Sequence, residues 1–387
     1  MSSHLLRIAY ETQLNIRRWL TGRCCRMRKA VRRRAGSVPS IRERPPDRVL
    51  IILAGLIGDS VMCAPVLEEA RRVWPTADIT LLGQQHNCDL FSDCPHIDRL
   101  YTARVHPFSI RDRREFSSLR GWVAANNFDV GIILLGDDFA ALLAEVGIPM
   151  RVGPQGTLLE PCLTHPYDSA IPRTWGPDEK LNALRSLGCE VRNIPPRLTV
   201  SDSSRISARG KLSRLGMSDG TRYAVIHPFG SELMKWWPFD RAQELAAALA
   251  DGTGLMSVLI GGPEVRLRGA IPAFTRGIDA IGAFSLRELT AVIEGCTITI
   301  TTDSGPFHIA GALGRPTVGL FRARRPEHAA RYSLNAIVFG SDEECDEKCS
   351  WDRCRFNPCR QMGSITTSQV LRQIELLCQR CGEGFAG

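Results

Sequence analysis

Apolar residues along this chain fall in short blocks separated by polar stretches with helical spacing, and that alternation predicts an α/β protein. Arg48 to Leu53 (RVLIIL) is too short for a buried helix and is stopped by Ala54-Gly55, so it reads as a strand covered on both faces. Val61 to Val73 follows with helical spacing and ends at Trp74-Pro75. Asp78 to Gly83, Ile97 to Tyr101 and Phe128 to Leu135 predict further strands, with a helix running through Trp122 before the last. Gly153 to Pro177 is rich in Pro and Gly without periodicity, and reads as a functional loop or a linker. The alternation then restarts. Strands are expected at Tyr223 to His227, Leu255 to Ile260, Thr297 to Thr301 and Thr317 to Phe321, with helices at Phe239 to Leu249, Ser285 to Glu294 and Pro306 to Leu313. The pattern predicts two α/β units, 48–195 and 196–340, joined near Arg192 to Ser201, with the helix Asp178 to Leu187 assignable to either. Open parallel sheets bind ligands beyond the carboxyl ends of their strands, so chemistry is expected in the loops after strands, facing a central cleft.

Composition narrows the class. The 387 residues are 44% hydrophobic and 23% charged, which suits a packed globular protein, and no apolar run is long enough for a membrane-spanning helix. The net charge of +8 is unevenly placed, because residues 1–34 alone carry ten Lys or Arg against one acid, Glu11. Within the extension 1–47, Leu5, Ile8, Thr12, Ile16, Trp19, Leu20, Cys24, Met27 and Val31 form a helical stripe beside an Arg-rich face. This reads as an interfacial helix on anionic lipid, which would place the protein in the cytoplasm, peripheral on the inner face of the membrane. A solvated basic extension or a mitochondrial transit peptide fits the same residues, whereas Arg7, Glu11, Arg17 and Arg18 interrupt any secretory core. Only Tyr10 and Trp19 are aromatic there and no nucleic-acid motif follows, so no nucleic-acid partner is expected.

Six of the 14 cysteines cluster in the segment 341–387. Without a signal peptide such a cluster points first to metal or redox chemistry. Cys345, Cys349, Cys354 and Cys359 have C-x3-C-x4-C-x4-C spacing, which permits a structural zinc or iron site without being diagnostic of one. Reduced thiols packed under a C-terminal helix at Gln369 to Leu377 are the alternative. That helix would continue through the C-x2-C pair Cys378 and Cys381.

Three loops could carry chemistry. Gly55-Leu56-Ile57-Gly58-Asp59 lacks the glycine pattern of a dinucleotide fingerprint, and Asp59 alone reads first as a helix cap. His227-Pro228-Phe229-Gly230-Ser231 leads to Lys235, a cation in a strand-to-helix connection that suits an anionic group. Thr301-Thr302-Asp303-Ser304-Gly305-Pro306-Phe307-His308 places small residues where Pro306 opens a helix, a setting in which backbone amides and the positive helix end meet a phosphate.

Together, R48-VLIILAGLIGD-S60, H227-PFGSELMKWWP-F239 and T302-DSGPFHIAGALGRPTVGL-F321 resemble glycosyltransferase family 9, the bacterial heptosyltransferases of lipopolysaccharide core synthesis. The resemblance runs from about Arg48 to Leu377 and implies a GT-B fold, with the acceptor in the first Rossmann-like domain and the donor nucleotide in the second. It implies that Asp59 is a catalytic base, that Lys235 shares the catalytic role near the donor diphosphate, and that Gly58 binds the donor. His227, Ser231, Asp303, Ser304, Gly305 and His308 would bind the donor, and Glu264 matches loosely an acid near the nucleoside sugar. Two departures stand out: Leu53 where many members carry Lys or Arg, and Arg322-Ala323-Arg324-Arg325-Pro326 after the last strand.

The implied reaction moves a heptosyl unit from an ADP-activated donor to a hydroxyl of a lipid-anchored or other glycan, with inversion. No D-x-D pair occurs in these loops, in keeping with a metal-independent transferase that needs no cofactor. A protein heptosyltransferase, a GT-B-like sugar-nucleotide epimerase and a non-enzymatic sugar-nucleotide-binding module are the rival readings.

Overall fold

The structure, a computed structural model, describes residues 41, 44–103, 113–169, 176–268, 271–322, 332, 333, 335–340 and 359–381. The basic extension with its predicted helix, and Cys345, Cys349 and Cys354, lie outside the described residues.

The chain forms two six-stranded parallel sheets. The first contains β1 (Arg48–Leu53), β2 (Asp78–Gly83), β3 (Arg99–Thr102), β4 (Val130–Leu135), β5 (Met150–Pro154) and β6 (His165–Tyr167), in the order β3-β2-β1-β4-β5-β6. The second contains β7 (Tyr223–His227), β8 (Met256–Leu259), β9 (Ile278–Asp279), β10 (Ile298–Thr302), β11 (Thr317–Phe321) and β12 (Ala336–Gly340), in the order β12-β11-β10-β7-β8-β9. Both are doubly wound, and in both the direction of winding reverses beside the first strand, between β1 and β4 and between β7 and β10.

The strand sequences follow from this placement. Val49 to Leu53 are all fully buried, as a strand sandwiched between helix layers requires. On one face Leu50, Ile52, Leu82 and Ile133 pack with Phe128 and with Phe139, Leu142 and Leu143 of the helix Phe139–Val146. In the second sheet Ala224, Ile226, Ile300 and Leu320 pack against Leu245 and Leu249 of the helix Phe239–Thr253, and the C-terminal helix Thr367–Cys381 adds Val370, Ile374 and Leu377. Trp237 Nε1 donates to the Ile365 carbonyl at 3.0 Å, which fixes the entry of that last helix.

Two compact units result. One takes in β1 and the chain to Gly55, with Cys63–Cys88 and Pro95–Ile194; the other takes in Leu56–Met62, Asp89–Cys94 and the chain from Pro195. The turn Leu56–Met62, which follows β1 in sequence, therefore packs with the second unit.

Several expectations are corrected. Val61 to Val73 is not one helix but two, Ile57–Met62 and Ala64–Val73, because Pro65 cannot continue a ladder and instead starts a new one. Gly153 to Pro177 is not a linker: it holds the end of β5, a 3-10 turn at Glu160–Cys162 and the edge strand β6. The helix assignable to either half, Pro177–Arg185, belongs to the first unit. The C-terminal helix does run through Cys378 to Cys381.

Candidate active site

The second sheet reverses direction between β7 and β10, so the loops leaving those strands flank one crevice of their unit. They are the loops that carry Lys235 and Asp303. Lys235 closes a 3-10 turn, Leu233–Lys235, and its Nζ lies 3.0 Å from Asp303 Oδ2. The two side chains are 18% and 27% exposed, so the pair is part-desolvated and yet accessible.

Beneath this pair His227 ends β7 and is buried. Its Nδ1 is 3.1 Å from Ser304 Oγ and 3.3 Å from Thr301 Oγ1. Because Ser304 Oγ donates to the Thr302 carbonyl at 3.0 Å, the proton of the ring is assigned to Nδ1, which donates to Ser304. Burial holds His227 down at about 4, so the ring is neutral near pH 7 and acts as a strut between two loops. Thr302 Oγ1 donates to the Phe229 carbonyl and ties the same loops a second time.

Ser304 is the N-cap of the helix Gly305–Ala312, but its hydroxyl is turned inward and makes no capping bond. The positive end of that helix is left for an anion. In its first turn, His308 Nδ1 is buried without a hydrogen-bond partner. Desolvation lowers the His308 pKa, the carboxylates of Asp303 and Asp59 oppose that shift, and Lys235 adds to it. Asp59, Lys235, Asp303 and His308 thus share one electrostatic neighbourhood.

Asp59 is the third residue of the helix Ile57–Met62, in its first turn, where a carboxylate also complements the positive helix end. Two glycines bring this turn against the helix Gly305–Ala312. A Cβ on Gly58 would lie 2.6 Å from His308 Cδ2, and one on Gly305 would lie 2.9 Å from Ile57 Cγ2. Only glycine fits at either position without displacing its neighbour.

The remaining expected residues are placed less centrally. Ser231 is exposed, and its carbonyl accepts from Arg268. Glu264 is exposed, with its carboxylate folded over Gly262. Cys359, expected in a metal site, is buried in the second core with Met362 and Ile365. Among the described residues no group of three or more His, Cys, Asp or Glu is arranged to hold a metal ion.

Sequence reasoning missed several contacts. Thr301 and Thr302 stand in the third candidate loop, but their sequence does not show that their hydroxyls tie it to His227 and to the Phe229 carbonyl. Trp236 Nε1 donates to the Gly230 carbonyl at 3.0 Å and so shapes the turn before Lys235. In the first unit, His86 Nε2 at 2.8 Å and Asn87 Nδ2 at 3.0 Å both bond the Gly55 carbonyl, just before the Asp59 turn. A polar pair opening a short helix gave no signal of that long-range role.

Comparison with known proteins identifies the fold and the family. The chain is 27% identical over 295 residues to lipopolysaccharide heptosyltransferase 3 of Escherichia coli (strain K12), covering 73% of this chain and 84% of that protein. Its fold matches the crystal structure of a family 9 glycosyl transferase from Veillonella parvula DSM 2008 with a TM-score of 0.70 at 22% identity, covering 86% of this chain and 97% of that one. It also matches E. coli heptosyltransferase WaaC with ADP-2-deoxy-2-fluoro heptose, with a TM-score of 0.62 at 21% identity over 85% of this chain and 99% of that one. The fold class is GT-B. The sequence profile of glycosyltransferase family 9 (heptosyltransferase) matches residues 117–359, more than half of the chain. The protein belongs to that family of heptosyltransferases.

Proposed function

We propose that the protein transfers a heptosyl unit from an ADP-activated donor to a hydroxyl of a lipopolysaccharide core or related glycan, with inversion at the anomeric carbon. The observation that carries this reading is the Lys235–Asp303 pair at the positive start of the helix Gly305–Ala312, in electrostatic range of Asp59 through His308. The lipopolysaccharide heptosyltransferases among its relatives support the donor and the acceptor class.

In this mechanism the acceptor oxygen attacks the anomeric carbon as its proton passes to the Asp59 carboxylate. The bond from that carbon to the diphosphate oxygen breaks, and its electron pair leaves with ADP. Lys235 exchanges Asp303 for the diphosphate, and the start of the helix Gly305–Ala312 adds fixed positive potential where charge develops. His227 and Ser304 take no part in proton transfer; they hold the two loops at the spacing the diphosphate needs. No described helix is long and apolar enough to cross a membrane. The basic extension would bring the enzyme to a lipid-anchored acceptor by lying on anionic headgroups.

The test is a donor and acceptor panel: ADP-heptose or UDP-sugars, each with heptose-free core glycolipid, with protein acceptors, or with no acceptor, in the presence of a chelator. Transfer from ADP-heptose to glycolipid is the expected result. Transfer to protein alone would move the acceptor assignment, and free sugar released without acceptor would replace transfer by an epimerase or hydrolase reaction.

A further inference from the structure

Resting on the transferase reading above, we propose that Ile57 is a positioning residue that couples occupancy of the donor site to the placement of Asp59. Ile57 stands two residues before Asp59 on the same short helix, and its Cγ2 and Cβ lie 2.9 and 3.1 Å from where a Gly305 side chain would begin. The Ile57 side chain therefore rests on the backbone of the first residue of the donor-side helix. One residue on, Gly58 lies against the His308 ring, whose Cδ2 would be 2.6 Å from an added Cβ. The Asp59 turn thus touches the donor helix at its first and fourth residues, the same turn whose positive end faces the diphosphate.

The Gly55 carbonyl accepts from both His86 and Asn87, and only three residues separate Gly55 from Asp59. The two-point contact on the helix Gly305–Ala312 makes that helix the element that sets where the Asp59 carboxylate stands. A diphosphate at the Gly305 amide and the positive end of the helix resists local opening of that first turn, and the Ile57 turn packed on it inherits the resistance. The base is then held in place when donor is bound and held less well when it is not.

Backbone hydrogen exchange of residues 56–62 tests this with ADP alone, so no acceptor is required. Saturating ADP should slow exchange across this segment by roughly tenfold or more in the wild type, within the ~100-fold available at a hundred times Kd. Ile57→Ala, which removes Cγ2, should bind ADP within about twofold of wild type yet lose most of that protection, and in transfer from ADP-heptose should lose kcat about tenfold with donor KM little changed. Ile57→Val keeps both Cβ and Cγ2, and should behave as wild type in all three measurements. If wild-type protein binds ADP with no added protection at 56–62, or if Ile57→Ala keeps full kcat, the coupling is refuted while the donor site stands. A valine variant as impaired as alanine, or an alanine variant whose ADP affinity falls as far as its kcat, would reduce Ile57 to a packing residue and refute it equally. Failure of wild-type protein to bind ADP would instead overturn the donor reading, and this inference with it.

Discussion

Replacing Lys235 by Met tests the diphosphate role while keeping the length of the side chain. Its Nζ is 3.0 Å from Asp303 Oδ2, with both groups less than one-third exposed. At that separation and an effective dielectric of about 20, Coulomb's law gives a gross attraction of ~5.5 kcal/mol. A diphosphate oxygen taking the place of the carboxylate would feel a similar pull, and desolvation of both partners offsets most of it, leaving about 1.5–3 kcal/mol for a charged hydrogen bond. Lys235→Met should therefore weaken ADP binding by roughly 10- to 150-fold. Adenosine, which has no phosphate, should bind variant and wild type alike. Isothermal calorimetry with both ligands separates a phosphate contact from a collapsed site. Raising the salt concentration should weaken ADP binding more in the wild type than in the variant, since the lost charge is the one being screened. Equal losses for ADP and adenosine, or no loss for either, would refute the role.

Three further outcomes follow from the same geometry. Gly58→Ala drives a Cβ to 2.6 Å from the His308 ring and should lower kcat by about 10²-fold, as an ångström of misplacement does, with a smaller change in ADP affinity by calorimetry. His227 is held at about 4 by burial, below its ordinary 6.5, so the unfolded chain binds its proton first as pH falls. The stability tied to the neutral ring is complete above about pH 6.5 and declines toward pH 4, by ~3 kcal/mol at most. His227→Gln should show a shallower loss in urea titrations between about pH 7 and pH 4.5, and an unchanged slope would deny the burial effect. Ser285 and Glu288 form a capping box at the helix Leu286–Gly295, so Ser285→Ala should cost about 1 kcal/mol, read as a lower urea midpoint at constant slope.

How much was legible depends on whether the signal was local. Arg48 to Leu53 and Thr317 to Phe321 stand in the structure with the bounds their apolar runs imply, because a strand covered on both faces needs nothing but apolar side chains. The strand His165–Tyr167 was hidden, since it is three residues long, contains Pro166 and lies on an edge. The helix Asp202–Arg214 was missed because it buries only Ser204, Ala208 and Leu212 and so shows no apolar stripe; its cap, Ser201, was the available sign. The break at Cys63 was also readable, from Pro65.

At the site, chain position announced the loops but not their bonds. Lys235 and Asp303 were both placed after strands, and their pairing across 68 residues depends on β7 and β10 being neighbours in the sheet. The same adjacency joins His227 to Ser304 across the two loops. The grip of His86 and Asn87 on Gly55 depends likewise on β1 lying beside β2, which no local pattern states.

The most direct test of the transfer mechanism is the Asp59→Asn variant, assayed for single-turnover transfer from ADP-heptose and, in parallel, for ADP affinity. A base acts only as the acceptor proton moves, so turnover should fall by about 10²- to 10⁴-fold while the ADP dissociation constant stays within about twofold of wild type. Turnover close to wild type in that variant, with ADP still bound, would contradict the account.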